Sequence, residues 1–243
     1  TPNDWNHKDC LYISYEEQIK SHFKTSKKVL KNHYTRKNIG YLWAKESGAN
    51  CILDTDDDNF PYLEKWKTLM EGKGIQCYLK SSPKMTFKNI YSYFSNDDIP
   101  FWPRGFPLEK INCEKSKILN TDCVNEKIFK SISLYQCMVE GDPDIDAIHR
   151  LIFKGTPSFL SKKPIIMGKN NICPFNSQNT LWPDPKIHAL LYLPSTVSFR
   201  FTDILRSYVA QFILNALSIN WGFFPSTSYQ IRNQHNLLKD MSS

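Results

Sequence analysis

The 243-residue chain has no apolar run near the roughly 18 to 20 residues that a membrane-spanning helix needs. Its most apolar helical candidate, around Val209 to Leu217, is shorter and is interrupted by Gln211 and Asn215. It opens Thr1-Pro-Asn-Asp-Trp, without the basic start or apolar stretch of a secretion signal, so a soluble globular piece is expected. There are only nine glycines, and they form no Walker lysine loop, no G-x-G-x-x-G and no G-x-S-x-G. Those absences argue against P-loop ATPases, Rossmann dehydrogenases and the common serine hydrolases. The seven cysteines include no C-x-x-C pair, and their spacing matches no zinc ligand set. None of the 19 asparagines begins an N-x-Ser/Thr sequon, where chance would give roughly two or three. The odd cysteine count and the missing sequons lean towards a reducing compartment such as the cytoplasm.

What is present is ordinary globular material with a local excess of positive charge. Hydrophobic residues make up 41% and charged residues 23%, which argues against intrinsic disorder. A chain of this size buries about 70% of its unfolded surface and needs no staple to fold. Of the net charge of +7, much lies between Gln18 and Lys37, which hold seven Lys or Arg and no acid. Such a run is either a solvated face or a field that attracts a phosphate-bearing ligand. It lacks interleaved stacking aromatics and matches no nucleic-acid module, so no nucleic-acid partner is expected.

Along the chain, Cys10 to Ser14 reads as a short strand, and Ser14 with Glu17 forms a capping box for the next helix. Thr35 to Ser47 carries one apolar helical face and ends at Gly48. Asn50 to Asp54 reads as a buried strand that runs into acids. A helix is then expected from Asn59 through Met70, closed by Gly72 and Gly74. This order indicates an α/β unit with a parallel sheet. Further on, a Pro- and Trp-rich loop spans Pro100 to Pro107, a strand is expected over Ser131 to Val139, and a short helix after Asp146. Gly155 to Pro185 reads as loop with a strand only near Ile165, followed by a strand over Lys186 to Leu193. Thr202 is placed to cap a long helix, with Ile204, Leu205, Tyr208, Val209, Phe212, Ile213, Ala216 and Leu217 as its core face.

The strongest chemical signal is Ile52-Leu53-Asp54-Thr55-Asp56-Asp57-Asp58-Asn59. Four carboxylates in five positions repel one another unless a cation offsets them. At the C-terminal edge of a parallel strand they stand where α/β sheets bind ligands. Alternating carboxylates there suit Mg²⁺ or Mn²⁺, which takes one or two protein carboxylates and fills its other positions with water and phosphate. The alternative is an acidic turn in which Asp58 or Asn59 caps the following helix. Asp144 and Asp146 suit either helix capping or acid/base and acceptor work. Arg104, isolated in a Pro/Trp loop, is a phosphate or carboxylate partner or a plain surface arginine. His149 and His188 lie in apolar stretches and read as core.

Taken together, several segments resemble the catalytic domain of the STELLO glycosyltransferase family of plant Golgi proteins and their eukaryotic relatives. The segments are Thr1-Pro-Asn-Asp-Trp, Tyr34-Thr-Arg-Lys-Asn-Ile-Gly-Tyr-Leu, Asp54-Thr-Asp-Asp, Trp102-Pro-Arg-Gly-Phe-Pro-Leu-Glu, Gly141-Asp-Pro-Asp-Ile-Asp, Asn179-Thr-Leu and Asp203-Ile-Leu-Arg-Ser-Tyr. A fainter resemblance is to the UDP-arabinopyranose mutases, which carry an Asp triplet and a segment like Arg104-Gly105-Phe106-Pro107 whose arginine is glycosylated. Both families imply a single GT-A-like α/β domain, a mixed, mainly parallel sheet flanked by helices. Residues 1–140 would then form the nucleotide-sugar and metal half, and residues 141–235 the acceptor half.

The resemblance implies Asp56 and Asp58 as Mn²⁺ or Mg²⁺ ligands, although the STELLO family keeps no acid at the position of Asp58. Arg36, Lys37, Asn38, Asp54, Asp57, Arg104 and Arg206 would contact a nucleotide-sugar donor, UDP-linked. Asp203, Asp144 and Asp146 would be the catalytic or acceptor-side carboxylates. The acceptor would be a glycan, a protein or a lipid-linked sugar, and the family setting is the Golgi. Two departures stand out. Tyr229 takes the place of a late metal-site histidine, the nearest being His235, and the chain starts after the point where the families have a first strand and helix. Two rival functions follow, a mutase or self-glycosylating protein acting through Arg104, and a non-catalytic module that assists a partner enzyme.

Overall fold

The computed structural model describes residues 8–71, 76–95, 99–126, 132–153, 155–160 and 162–231. The strands are β1 (Ile52–Thr55), β2 (Asn59–Pro61), β3 (Gln76–Leu79), β4 (Thr86–Phe87), β5 (Cys123–Glu126), β6 (Leu134–Glu140), β7 (Ile165–Ile166), β8 (Asn171–Ile172), β9 (Asn179–Trp182) and β10 (Trp221–Gln230). The helices are α1 (Tyr15–Lys20), α2 (Lys37–Glu46), α3 (Leu63–Glu71), α4 (Ile90–Phe94), α5 (Ala147–Ile152) and α6 (Thr202–Ala216). One sheet in the order β1-β9-β6-β10-β7-β3-β5, with β2 also on β10, forms the centre of a single α/β domain. Strands from the two expected halves interleave in it, so they share one core of Trp182, Trp221, Phe175, Phe223 and Leu134.

The sheet is mixed, as expected, but it is not mainly parallel. β6–β10 and β3–β7 are parallel, whereas β1–β9, β9–β6, β10–β7, β10–β2 and β3–β5 are antiparallel. Two of the antiparallel pairs come from β9, a strand within the stretch read as loop. It is only four residues long, two polar and two apolar, Asn-Thr-Leu-Trp, and carries no alternation. Entering antiparallel between β1 and β6, it leaves the C-terminal ends of β1, β6 and β10 pointing the same way.

Other expectations hold or shift locally. The Ser14–Glu17 capping box forms, with reciprocal bonds of 3.2 and 2.7 Å. Cys10 to Ser14 pairs with no strand. α2 forms where expected and ends at Gly48, whose φ of +80° is the left-handed geometry glycine adopts without strain. Asn59-Phe-Pro opens no helix: it is β2, paired with Ser228 to Gln230, and α3 starts after it. Gly72 and Gly74 lie outside the described residues. Lys186 to Leu193 is not a strand but falls in a 3₁₀ helix, Pro185–Leu191, because Asp184 accepts from the Lys186 N–H and a proline follows the cap.

α6 departs most from its sequence pattern. Thr202 is its first residue rather than its cap. Its buried face is Asp203, Ile204, Arg206, Ser207, Ala210, Gln211 and Leu214, while Val209, Phe212, Ile213 and Leu217 are exposed. Polar residues turn inwards because the interior needs partners. Gln211 Oε1 accepts from the Cys173 N–H at 3.0 Å, and Arg206 reaches Asp54 on β1. An unpaired buried group would cost more than an exposed aliphatic one.

Urea unfolding tests this orientation. Leu214→Ala, at a fully buried position, is expected to cost about 2–5 kcal/mol. Val209→Ala, half-exposed at 50%, is expected to stay within about 0.5 kcal/mol.

Candidate functional site

The common direction of β1, β6 and β10 gathers three loops at one edge of the sheet. The acidic turn leaves the end of β1 and returns as β2 against the end of β10. It therefore crosses above β9 and β6. The Gly141 to Asp146 loop leaves β6, and Asn176 to Gln178 enter β9 from the same side. β10 reaches the site only because it bends: Phe224 pairs with Cys137 and Ser228 with Val139, so extra residues bulge around Pro225.

Beneath the acidic turn lies a buried ion-pair chain. Asp54 has no exposed side-chain surface. Its Oδ1 is 2.8 Å from Lys37 Nζ and its Oδ2 is 2.9 Å from Arg206 Nη1. Arg206 also donates to the Asn176 carbonyl at 3.0 Å and stacks over Trp182. Lys37 donates to Asp56 Oδ1 at 3.0 Å, to the Ser177 carbonyl at 3.1 Å and to the Tyr34 hydroxyl at 3.1 Å. Burial works to lower the Lys37 pKa, but Asp54 and Asp56 outweigh it and hold the ammonium charged, above the ordinary lysine range. The Tyr34 hydroxyl donates to Asp56 Oδ1 at 2.7 Å and accepts from Ser177 Oγ at 2.6 Å. Burial, with Asp56, Asp203 and Asp54 nearby, raises the tyrosine pKa well above its usual value, so it stays a donor. Burial also raises the Asp56 carboxyl, against Lys37 and Tyr34.

The second arm is built on Arg104. Its Nε donates to both Asp144 oxygens at 2.9 and 3.0 Å, and its Nη2 to Asp144 Oδ2 and Asp203 Oδ2, each at 2.8 Å. Its Nη1 donates to the Arg200 carbonyl. Asp203 Oδ1 accepts from the Ile204 N–H at 3.0 Å and its Oδ2 from the Ser177 N–H at 3.3 Å. Gly105 and Gly141 let these loops close. Both have positive φ, and a Cβ on Gly105 would stand 2.4 Å from Ile204 Cγ2, one on Gly141 2.4 Å from the Gln230 carbonyl.

The two arms meet around a half-open cavity of about 60 Å³, lined by Tyr34, Asp56, Arg104, Asp144, Gln178, Phe199, Arg200, Asp203 and Gln230. Of the sequence candidates, Asp56, Arg104, Asp144 and Asp203 line it, and Lys37, Asp54 and Arg206 support it from below. Asp58 stands beside it, accepting from Gln230 Nε2 at 2.7 Å, and Asp57 is exposed on the turn. Three candidates go elsewhere. Arg36 bonds Gln18 and the Val29 carbonyl and lies over the Tyr15 ring. Asn38 ties both faces of the Leu193 peptide at 2.8 Å. Asp146 caps α5 through the Ile148 N–H at 2.8 Å, with burial raising its pKa. Tyr229 is 40% exposed and packs on Gly141, while the neighbouring Gln230 lines the cavity. His235 lies outside the described residues. His149 and His188 are buried, as read from their apolar settings.

Sequence reasoning missed Tyr34, Ser177, Gln178 and Gln230 as site residues. The available signal was Asn176-Ser-Gln-Asn-Thr, five polar residues without a charge, which become fully or nearly fully buried. Such a run is costly to bury unless it holds other groups in place.

Chemically, the cavity sets three carboxylates beside Arg104 and Arg200, so it has both charged hydrogen-bond donors for an anion and acceptors for a hydroxyl. Gly105→Ala should lower thermal stability and, by pushing the Arg104 loop off Ile204, cost about 1–3 kcal/mol in unfolding experiments. An unchanged melting temperature would contradict the close packing of that loop.

No family model matches the chain. It is similar to two proteins of Arabidopsis thaliana, "Probable glycosyltransferase STELLO1" and "Probable glycosyltransferase STELLO2". It is 27% identical to each over 245 aligned residues, which cover 95% of this chain. The chain spans only 31% of the length of those relatives. The mixed α/β architecture, with its site at the C-terminal ends of β1, β6 and β10, is consistent with the GT-A-like fold that the resemblance implied. Along nearly all of its length, the chain is similar to these two STELLO proteins, at an identity of 27%.

Proposed function

We propose that this chain transfers a sugar from a nucleotide-sugar donor, UDP-linked, to a glycan, protein or lipid-linked acceptor. The observation that supports this most is the convergence of Asp56, Arg104, Asp144 and Asp203 on one cavity at the strand ends. The cavity is small, so the donor would lie across its mouth with the reacting end inside.

The donor set at the acidic turn fits a hard divalent ion. Among the described residues, both hydrogen bonds that the Asp56 carboxylate accepts fall on Oδ1, and the one that the Asp58 carboxylate accepts also falls on Oδ1. Each carboxylate thus keeps its other oxygen for a ligand. Among the described residues no three His, Cys, Asp or Glu side chains are grouped as a closed metal site. Two carboxylates completed by phosphate and water are what Mg²⁺ or Mn²⁺ takes. Asp56 and Asp58 would hold such an ion, which when bound supplies Lewis-acid neutralisation of a departing diphosphate.

The chain's own residues then have separate tasks. Arg104, held flat by Asp144 and Asp203, supplies fixed positive charge at the cavity wall without reorganising. Lys37 keeps Asp56 aimed at the mouth. Asp203 is the first candidate to accept the acceptor-hydroxyl proton in an inverting transfer, with Asp144 next. Self-glycosylation at Arg104 gains no support from the geometry, since its Nε, Nη1 and Nη2 all donate to oxygens already.

Thermal unfolding with UDP, GDP and CDP, each with and without Mn²⁺, tests the proposal. A nucleotide at 100 times its Kd stabilises by about 2.7 kcal/mol. For a chain of this size that raises the melting temperature by roughly 5–10 °C. The rise is expected with Mn²⁺ and one nucleotide and is expected to vanish in Asp56→Asn. No rise with any nucleotide would overturn the donor assignment.

A further inference from the structure

We infer that Lys37 is the resident cation of the acidic turn: its ammonium fills the position between Asp54 and Asp56 and closes that pair to a free divalent ion. Alternating carboxylates at a strand end form a cation site in sequence, and the structure puts a cation there from the chain itself. Lys37 Nζ stands 2.8 Å from Asp54 Oδ1 and 3.0 Å from Asp56 Oδ1. All three of its N–H donors are used, by Asp56, the Ser177 carbonyl and the Tyr34 hydroxyl. The other Asp54 oxygen faces Arg206, and neither the Asp54 nor the Arg206 side chain has more than 1% exposure. Asp54 Oδ1 accepts no hydrogen bond, but the Lys37 ammonium stands against it at 2.8 Å, so an incoming ion meets a cation there already. A divalent ion between the two carboxylates would have to displace the ammonium from a set of oxygens. It would also sit beside the Arg206 guanidinium in a poorly screened interior.

The carboxylates left for an ion are those further out, Asp56 through Oδ2 and Asp58, with exposed Asp57 beside them. Too few protein oxygens remain there to hold a bare ion tightly, and the fixed charge of Lys37 lies directly behind. A diphosphate supplies the missing oxygens and offsets that charge, so ion and diphosphate bind as a pair. Naming a nucleoside diphosphate rests on the proposed sugar transfer, whereas the closed inner position does not.

The test is a Mn²⁺ titration of the full chain, read from the electron paramagnetic resonance signal of free Mn²⁺. Four samples are compared: wild type alone, wild type with UDP, Lys37→Met alone and Lys37→Arg alone. Wild type should bind Mn²⁺ at least tenfold more weakly alone than with UDP. Lys37→Met, with its fold checked by circular dichroism, should bind Mn²⁺ alone at least tenfold more tightly than wild type, and Lys37→Arg should not. Tight binding of Mn²⁺ alone by wild type, equal to that of Lys37→Met, would overturn the inference. So would wild-type affinity that UDP leaves unchanged while UDP itself binds. If UDP does not bind at all, the donor reading fails, and wild type against Lys37→Met in Mn²⁺ alone still decides the role of Lys37.

Discussion

The arrangement at the strand ends depends on one buried carboxylate, Asp54, shared between Lys37 of α2 and Arg206 of α6. Burying three charges is costly, and the arrangement holds because the pairing is close and the Lys37 ammonium and Arg206 Nη2 donate to further oxygens. Asp54 sits on β1, so the two ion pairs tie a helix from each end of the described chain to one edge of the sheet. Leaving either cation unpaired in that interior would cost several kcal/mol. This explains why α6 turns Arg206 inwards although its apolar residues at Val209 and Phe212 then face solvent.

From that anchor the site follows by geometry. The Lys37 ammonium fixes Asp56 and Tyr34; Tyr34 reaches Ser177, and Ser177 lies against Asp203. Asp203 and Asp144 then hold Arg104 flat at the cavity wall. A continuous line of hydrogen bonds thus connects the acidic turn with Asp203 and Asp144. The buried amides of Asn176 to Asn179 brace it: Asn179 reaches Thr227 and Ser228 on β10, and Gln178 accepts from the Asp144 N–H. Preorganised charge of this kind is what a group-transfer site needs, since the donors need not move when charge develops.

Local rules made some of this legible in sequence. The capping box at Ser14, the glycine that ends α2, the strand running into the acids and the short helix after Asp146 depend on residues near one another, and they form as read. The acidic turn and Arg104 were visible as charges too concentrated or too isolated to be indifferent. Long-range effects were hidden. Nothing local marks Asn179–Trp182 as a strand, because its neighbours β1 and β6 create the need for it. The inner face of α6 was misread because periodicity ranks residues by hydrophobicity, whereas Arg206 and Gln211 are drawn in by partners far along the chain. Tyr34 and Ser177 entered the site for the same reason.

The central claim is that this hydrogen-bonded line serves sugar transfer, and turnover tests it most directly. The chain would be incubated with a panel of nucleotide sugars and Mn²⁺, and release of the nucleoside diphosphate followed by mass spectrometry, for wild type and Asp203→Asn. The account predicts release from at least one nucleotide sugar by wild type and a fall of about 100-fold or more in the variant. Binding of a nucleotide without release from any sugar donor, or equal release by both proteins, would contradict it and favour a module that assists another enzyme.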